Sequence, residues 1–175
     1  MTKHAAPKMN GQDKSAEEKV FSIHNFYLKD VSFEAPHTPH IFREEWRPDV
    51  DFDIQLGSQV LSPEEGLYEV LIHLTVTVRL KKPEKPAFLV ELKQAGIFTL
   101  KGFEESAIKH LLATECPYHL FPFVRETVTN LAQRGGFPPL LLPPINFEAL
   151  YAKHLEKEKE GGGKSGNLEQ PLTQA

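Results

Sequence analysis

The run from Leu67 to Leu80, "LYEVLIHLTVTVRL", alternates with a period of two over its whole length. Tyr68, Val70, Ile72, Leu74, Val76, Val78 and Leu80 fall on one side, and Glu69, Leu71, His73, Thr75, Thr77 and Arg79 on the other. A helix cannot sort residues at that period, so the sequence predicts a strand over about 67–81 with one apolar face and one wettable face. Three more runs repeat the pattern. At 20–35 the alternation sets Phe21, Ile23, Tyr27, Val31 and Phe33 on one face. At 49–61, Val50, Phe52, Ile54 and Leu56 point inward, and Asp49, Asp51, Asp53 and Gln55 outward. At 87–100, Phe88, Val90, Leu92 and Phe98 are the buried set, with Leu89, Glu91 and Lys93 exposed. Four such strands predict an antiparallel sheet covered on one side only. "SPEEG" and "KKPEKP" read as tight links between the second, third and fourth strands. The longer "HTPHIFREEWRP" predicts a crossover that returns the first strand beside the fourth.

The wet faces of these strands share a sign. Asp30, Glu34, Asp51, Asp53, Glu69 and Glu91 lie outward, against Arg79 and Lys93 as cations. Polar residues on a solvated face need no special explanation. Here an exposed Leu89 sits beside Glu91, and pairing of the first and fourth strands brings both near Asp30 and Glu34. An acidic surface around a central leucine is a docking patch suited to a basic partner.

After residue 100 the pattern changes to a helical one. "GFEESAIKHLLATE" spaces Ile108, Leu111 and Leu112 for a helix, and a second helix follows Pro117, itself suited to a first turn. Its stripes are Phe123, Thr127 and Leu131, and Val124, Val128 and Ala132; its other side is mostly neutral-polar, as in helices that pack against a second copy. Pro122 marks a kink or a later start, and Gly135 and Gly136 supply a left-handed stop. Next, "FPPLLLPPINF" holds Phe137 and three leucines between proline pairs, a rigid apolar segment that neither a helix nor a sheet centre accepts. It either straps the domain's own core or walls a groove open to other chains. Asn146 then caps a last helix with Phe147, Leu150, Tyr151 and Leu155 on one face.

The chain of 175 residues is 40% hydrophobic, enough for one domain with a modest core. Its net charge of −4 gives no broad basic field for nucleic acid, and no apolar run is long enough to insert into a membrane. One cysteine excludes an internal disulfide and fits a reducing compartment. No secretory signal is visible, which predicts a soluble cytoplasmic protein. Residues 1–19 and 160–175 are polar and read as flexible tails around a domain at 20–159. Enzyme readings are thin. Cys116 with His119 lacks a third group, His37 and His40 lack a third ligand, and Asp51 with Asp53 (the basis of a metal- or carboxylate-dependent hydrolase alternative) are adjacent outward strand positions. No phosphate-binding loop motif occurs. The expectation is a binding protein without catalytic residues, metal or cofactor.

The stretches "YLKDVSFEAPHTPHIF", "ELKQAGIFTL", "ECPYHLFPFVRE" and "RGGFPPLLLPPINFEALY" resemble the SecB family of export chaperones, in the same order over roughly residues 21–155. The resemblance implies an α+β fold, a four-stranded antiparallel Greek-key sheet with helices on one face, assembled as a homotetramer, a dimer of dimers. It implies an ATP-independent holdase that binds unfolded preproteins and delivers them to the SecA motor. It assigns SecA binding to Asp30, Glu34, Leu89 and Glu91, with the zinc carried by SecA. Client grooves would use Ile41, Phe42, Trp46, Leu120, Phe137, Leu140 and Leu142. A SecB-like chaperone of a toxin–antitoxin system is the related alternative. The sequence departs from the family pattern at Ala95, Glu115 and Phe123, in its lysine-rich 81–86 link, and in a tail without a strong acidic run.

Overall fold

A computed structural model describes residues 18–81 and 84–160 of the chain. The expected tails therefore fall almost entirely outside the described residues. Four long strands come first: β1 (Val20–Glu34), β2 (Pro48–Ser62), β3 (Leu67–Lys81) and β4 (Glu84–Lys101). Three helices follow, α1 (Glu105–Ala113), α2 (Glu115–Arg134) and α3 (Phe147–Glu160). All strand pairs are antiparallel, and the order β1-β4-β3-β2 is a Greek key. The crossover between β1 and β2 contains a short 3-10 turn, His40–Arg43. The β3–β4 link is shorter than the sequence suggests, since pairing continues to Lys81 and Glu84.

One face of the sheet carries the core. Val70, Ile72, Leu74, Val76 and Val78 of β3 and Phe88, Val90, Leu92 and Phe98 of β4 are buried with Leu120, Val124, Val128 and Ala132 of α2. Removing such side chains from water is the main favourable term in folding, at about 25 cal/mol per Å². α2 is continuous through Pro122, which faces solvent, so the proline is neither a break nor a start. At the end of α2 the two glycines divide the work. Gly136 takes the left-handed conformation, with φ of 83°. Gly135 stays right-handed, with φ of −73°, and is needed instead for space, because a Cβ there would collide with the Phe33 ring. Asn146 caps α3 as expected, its Oδ1 accepting from the Ala149 N–H at 3.0 Å.

The proline-rich segment straps the core, with one leucine left outside. Phe137 and Leu142 enter the core and Leu140 is half-buried, whereas Leu141 is 73% exposed. The strap is fixed to α2 by Thr129, whose hydroxyl donates to the Leu140 carbonyl at 2.8 Å.

Strand β1 departs from simple alternation. Its register against β4 shifts between Ile23 and Asn25 and again between Leu28 and Asp30. Each shift is a bulge, an extra residue that changes which face the following side chains occupy. Tyr27 therefore pairs with Ala95 on the outer face, and Phe26, opposite Gly96, takes the inward place expected for Tyr27. No helix among the described residues is long and apolar enough to cross a membrane.

Candidate functional site

Cross-strand partners share a face of the sheet, so the register defines the outer surface. Asp30 lies opposite Lys93, Ser32 opposite Glu91, and Glu34 opposite Leu89. On its other side β4 sets Leu89 against Thr77, Glu91 against Thr75 and Lys93 against His73. The structure thus brings Asp30, Glu34, Leu89 and Glu91 together on one open face, on two neighbouring strands. Asp30, Glu34 and Glu91 are exposed and Leu89 is partly so.

Most of these carboxylates have local partners. Lys93 Nζ lies 3.9 Å from Asp30, and His73 Nε2 donates to Glu91 at 2.8 Å. Arg79 holds Asp51 at 2.9 Å, and Gln55 donates to Asp53 at 3.0 Å. Glu34 has no charged partner among the described residues. Exposed pairs of this kind contribute about 0–1 kcal/mol each, so an incoming cation with better geometry can displace them. The face therefore presents displaceable carboxylates around a partly exposed leucine.

Glu69 is the exception. Expected among the solvated acids, it is only 6% exposed. Lys29 Nζ donates to both its oxygens, at 2.8 and 3.0 Å, and the Tyr27 hydroxyl and the Gln59 amide donate to it as well. Burial pushes this carboxyl upward, but the hydrogen bonds from Lys29, Tyr27 and Gln59 with the Lys29 charge outweigh it and hold the group below the usual carboxylate range. The same burial, reinforced by the bonded anion, raises Tyr27 to about 12. No feature of the local sequence marks Glu69 as different from Asp51 or Glu91; only the reach of Tyr27 and Lys29 across β4 does.

A second surface lies on the helix side. Phe42 and Trp46 of the crossover stand 5.2 and 5.7 Å, centroid to centroid, from Phe137, which packs in tilted geometry 4.8 Å from Phe88 and 6.5 Å from Phe33. Phe42 is 50% and Trp46 37% exposed, while Phe137 forms the buried floor. The cluster is held by packing, because the Phe42 ring lies over Gly136. Four of the seven residues expected in client grooves, Ile41, Leu120, Phe137 and Leu142, are core residues in this chain. Leu120 packs beneath Gly96, away from the aromatic cluster. Exposed apolar side chains that the sequence reading does not single out include Leu141 and Tyr118, the latter bordering an open depression of about 400 Å³ with Pro144, Ile145 and Phe147. Neighbouring prolines give no period from which the outward leucine could be read.

The groups considered for catalysis are otherwise engaged. Cys116 is buried, and burial together with the Glu115 charge pushes its thiol to about 12, so it is no ready thiolate. His119 faces Glu115 at 3.1 Å, and His37 Nδ1 donates to the Pro86 carbonyl at 3.0 Å. Among the described residues no group of three histidines, cysteines or acids is placed to hold a metal ion.

Residues 14–158 match the family model described as preprotein translocase subunit SecB. The protein-export protein SecB of Hydrogenovibrio crunogenus is 48% identical over 144 residues, covering 82% of this chain and 94% of that one. That of Methylococcus capsulatus is 47% identical over 149 residues, covering 85% and 94%. Among solved structures, the SecB-like chaperone of Mycobacterium tuberculosis, in complex with a ChAD peptide from the HigA1 antitoxin, superposes with a TM-score of 0.61 at 18% identity, over 72% of this chain and 91% of that one. That likeness supports the fold, and the curated relatives carry the sequence identity across most of both chains. The four-stranded antiparallel sheet, the helices on one of its faces and these relatives together place the chain in the SecB family.

Proposed function

We propose that this chain is an ATP-independent export chaperone that holds unfolded preproteins on apolar surfaces and presents them to SecA through the acidic sheet face. The observation that carries the reading is the separation of two surfaces on a SecB-family chain. Asp30, Glu34, Leu89 and Glu91 lie on the open side of the sheet, and Phe42, Trp46 and Leu141 are exposed elsewhere.

The chemistry is association without bond making. Apolar side chains of a non-native client leave water at about 25 cal/mol per Å², offset by ordering of both chains. Any one patch binds weakly. A homotetramer, proposed here as a dimer of dimers, offers several patches to one client, and effective concentration multiplies the affinities. Self-association is supported by Ile23, Leu28 and Val31 along the β1 edge and by Phe123 of α2, apolar side chains at least 39% exposed. Buried in an interface, they would stop being a liability in water. Phe137 and Ile41 support the client surface from below, and Leu120 and Leu142 support the core behind it. The protein works in the cytoplasm, where preproteins are still unfolded, and takes no cofactor.

Light scattering tests this directly. The chain alone should have the mass of a tetramer, and a heavier complex should form with an unfolded preprotein and again with SecA. Leu89→Arg or Glu91→Lys should abolish the SecA complex and leave preprotein holding intact; loss of both activities, or of neither, contradicts the proposal.

A further inference from the structure

The acidic face depends on a local irregularity of β1. From Tyr27 to Asp30 the chain takes three steps, while β4 takes two, from Ala95 to Lys93. Lys29 is the extra residue. Before it, odd-numbered Asn25 and Tyr27 face outward; after it, even-numbered Asp30, Ser32 and Glu34 do. A strand that slips by one residue turns every side chain to the opposite face. Without the bulge, and with residues up to Leu28 kept in place, Asp30 and Glu34 would turn toward the helices and Val31 and Phe33 toward water.

Among the described residues β1 is an edge strand paired with β4, so within the chain the extra residue takes its support from side chains on other strands. Glu69 is placed to give that support. It lies on β3, beyond β4, and takes Lys29 of the bulge in a two-oxygen grip together with the Tyr27 hydroxyl before the bulge. Gln59 of β2 completes the set, so one buried carboxylate ties β1, β3 and β2 together. Ala95, opposite Tyr27, is the small side chain on the strand that Tyr27 and Lys29 cross. Glu69 stays ionised and Tyr27 stays a donor throughout the neutral range, since one is shifted down and the other up.

We infer that Glu69 is a positioning residue for the docking face: by gripping Lys29 at the bulge, with Tyr27 and Gln59, it fixes the register that turns Asp30 and Glu34 outward. The inference rests on the docking role proposed above. It distinguishes Lys29 from the other cations of the face. A mere countercharge beside Asp30 would oppose a basic partner, so its removal would strengthen docking. A register pin would do the opposite when lost.

Lys29→Met and Glu69→Leu in the full chain decide between these, with SecA and an unfolded preprotein as ligands. Both variants should weaken SecA binding by about tenfold or more and weaken preprotein holding less, because a slip turns the acids off the outer face and withdraws Phe33 from beside Phe137 but leaves Phe42 and Trp46 in place. Glu69→Gln, which keeps the size and one acceptor oxygen, should recover part of the loss. Register is read separately by oxidative cross-linking. Ser32→Cys with Glu91→Cys, directly opposed in the sheet, should close readily with Lys29 and Glu69 intact. With either residue replaced, closure should shift to Val31→Cys with Glu91→Cys. If Glu69→Leu does not fold, Lys29→Met still decides. Tighter SecA binding by Lys29→Met, or weaker binding with an unmoved cross-link, overturns the inference alone. Absence of SecA binding by the unaltered chain overturns the docking reading and the positioning role with it.

Discussion

The two faces of the sheet are built in different ways. The outer face is made of strand side chains only, and its composition follows from backbone register: Asp30, Glu34, Leu89 and Glu91 meet because β1 pairs with β4 at the right offset. The helix-side aromatic surface is made by the crossover and the proline-rich strap, where Phe42 and Trp46 rest on a buried Phe137. A surface set by register can be lost by a slip of one residue, which here would also turn Val31 and Phe33 toward water. A surface set by packing loses stability and recognition together wherever its floor is disturbed. The difference teaches that the two surfaces are sensitive to different kinds of substitution, the outer one to changes of register and the helix-side one to changes of packing.

The largest expected effect breaks the floor. Phe137→Ala should cost about 3–5 kcal/mol, the usual range for an aromatic side chain removed from a core, as measured by denaturant unfolding. Phe42→Ala, one ring further out, should cost about 1 kcal/mol or less and still weaken preprotein holding. Equal losses of stability from the two would erase the distinction between floor and surface. Next comes the joint between the faces. Gly135→Ala introduces a Cβ against the Phe33 ring, so it should cost about 1–3 kcal/mol through overpacking. Because Phe33 follows the bulge in β1, the same substitution should also disturb SecA binding, which a titration would show.

A smaller effect sharpens the outer face. Glu69 titrates below its ordinary range when folded, so its contribution is fully present above the unfolded glutamate value of about 4.3. That contribution is lost as pH falls through the lower folded value. Urea midpoints measured from pH 6 down to pH 3 should therefore fall less steeply in Glu69→Gln than in the unaltered chain. Parallel curves would mean that Glu69 gains nothing from Lys29, Tyr27 and Gln59 on folding.

Much of this architecture is legible in the residues themselves. The two-residue period of β3 and β2 locates both faces correctly, since neither strand is bulged until Val60, and the long crossover foretells the β1–β4 pairing. The acidic patch follows from the same period, because Asp30 and Glu34 lie in the stretch after the last bulge. Alternation puts Tyr27 on the wrong face because a bulge leaves no mark within β1; it exists only relative to β4. Alternation alone leaves Glu69 among the solvated acids, because its burial comes from side chains on two other strands. Leu141, rather than Leu140 or Leu142, points outward for a similar reason: the hydrogen bond from Thr129 to the Leu140 carbonyl sets the strap, and that partner lies on another element. Period reveals faces, and contacts between elements decide what happens at the faces' edges.

The central claim is that motor and client occupy separate surfaces. It is tested most directly by titrating SecA into the chaperone already saturated with an unfolded preprotein and following the mass of the complex by light scattering. The account predicts a ternary mass and an affinity for SecA unchanged, within about twofold, by the bound client. Stoichiometric release of the preprotein as SecA binds, with no ternary mass at any ratio, would contradict it.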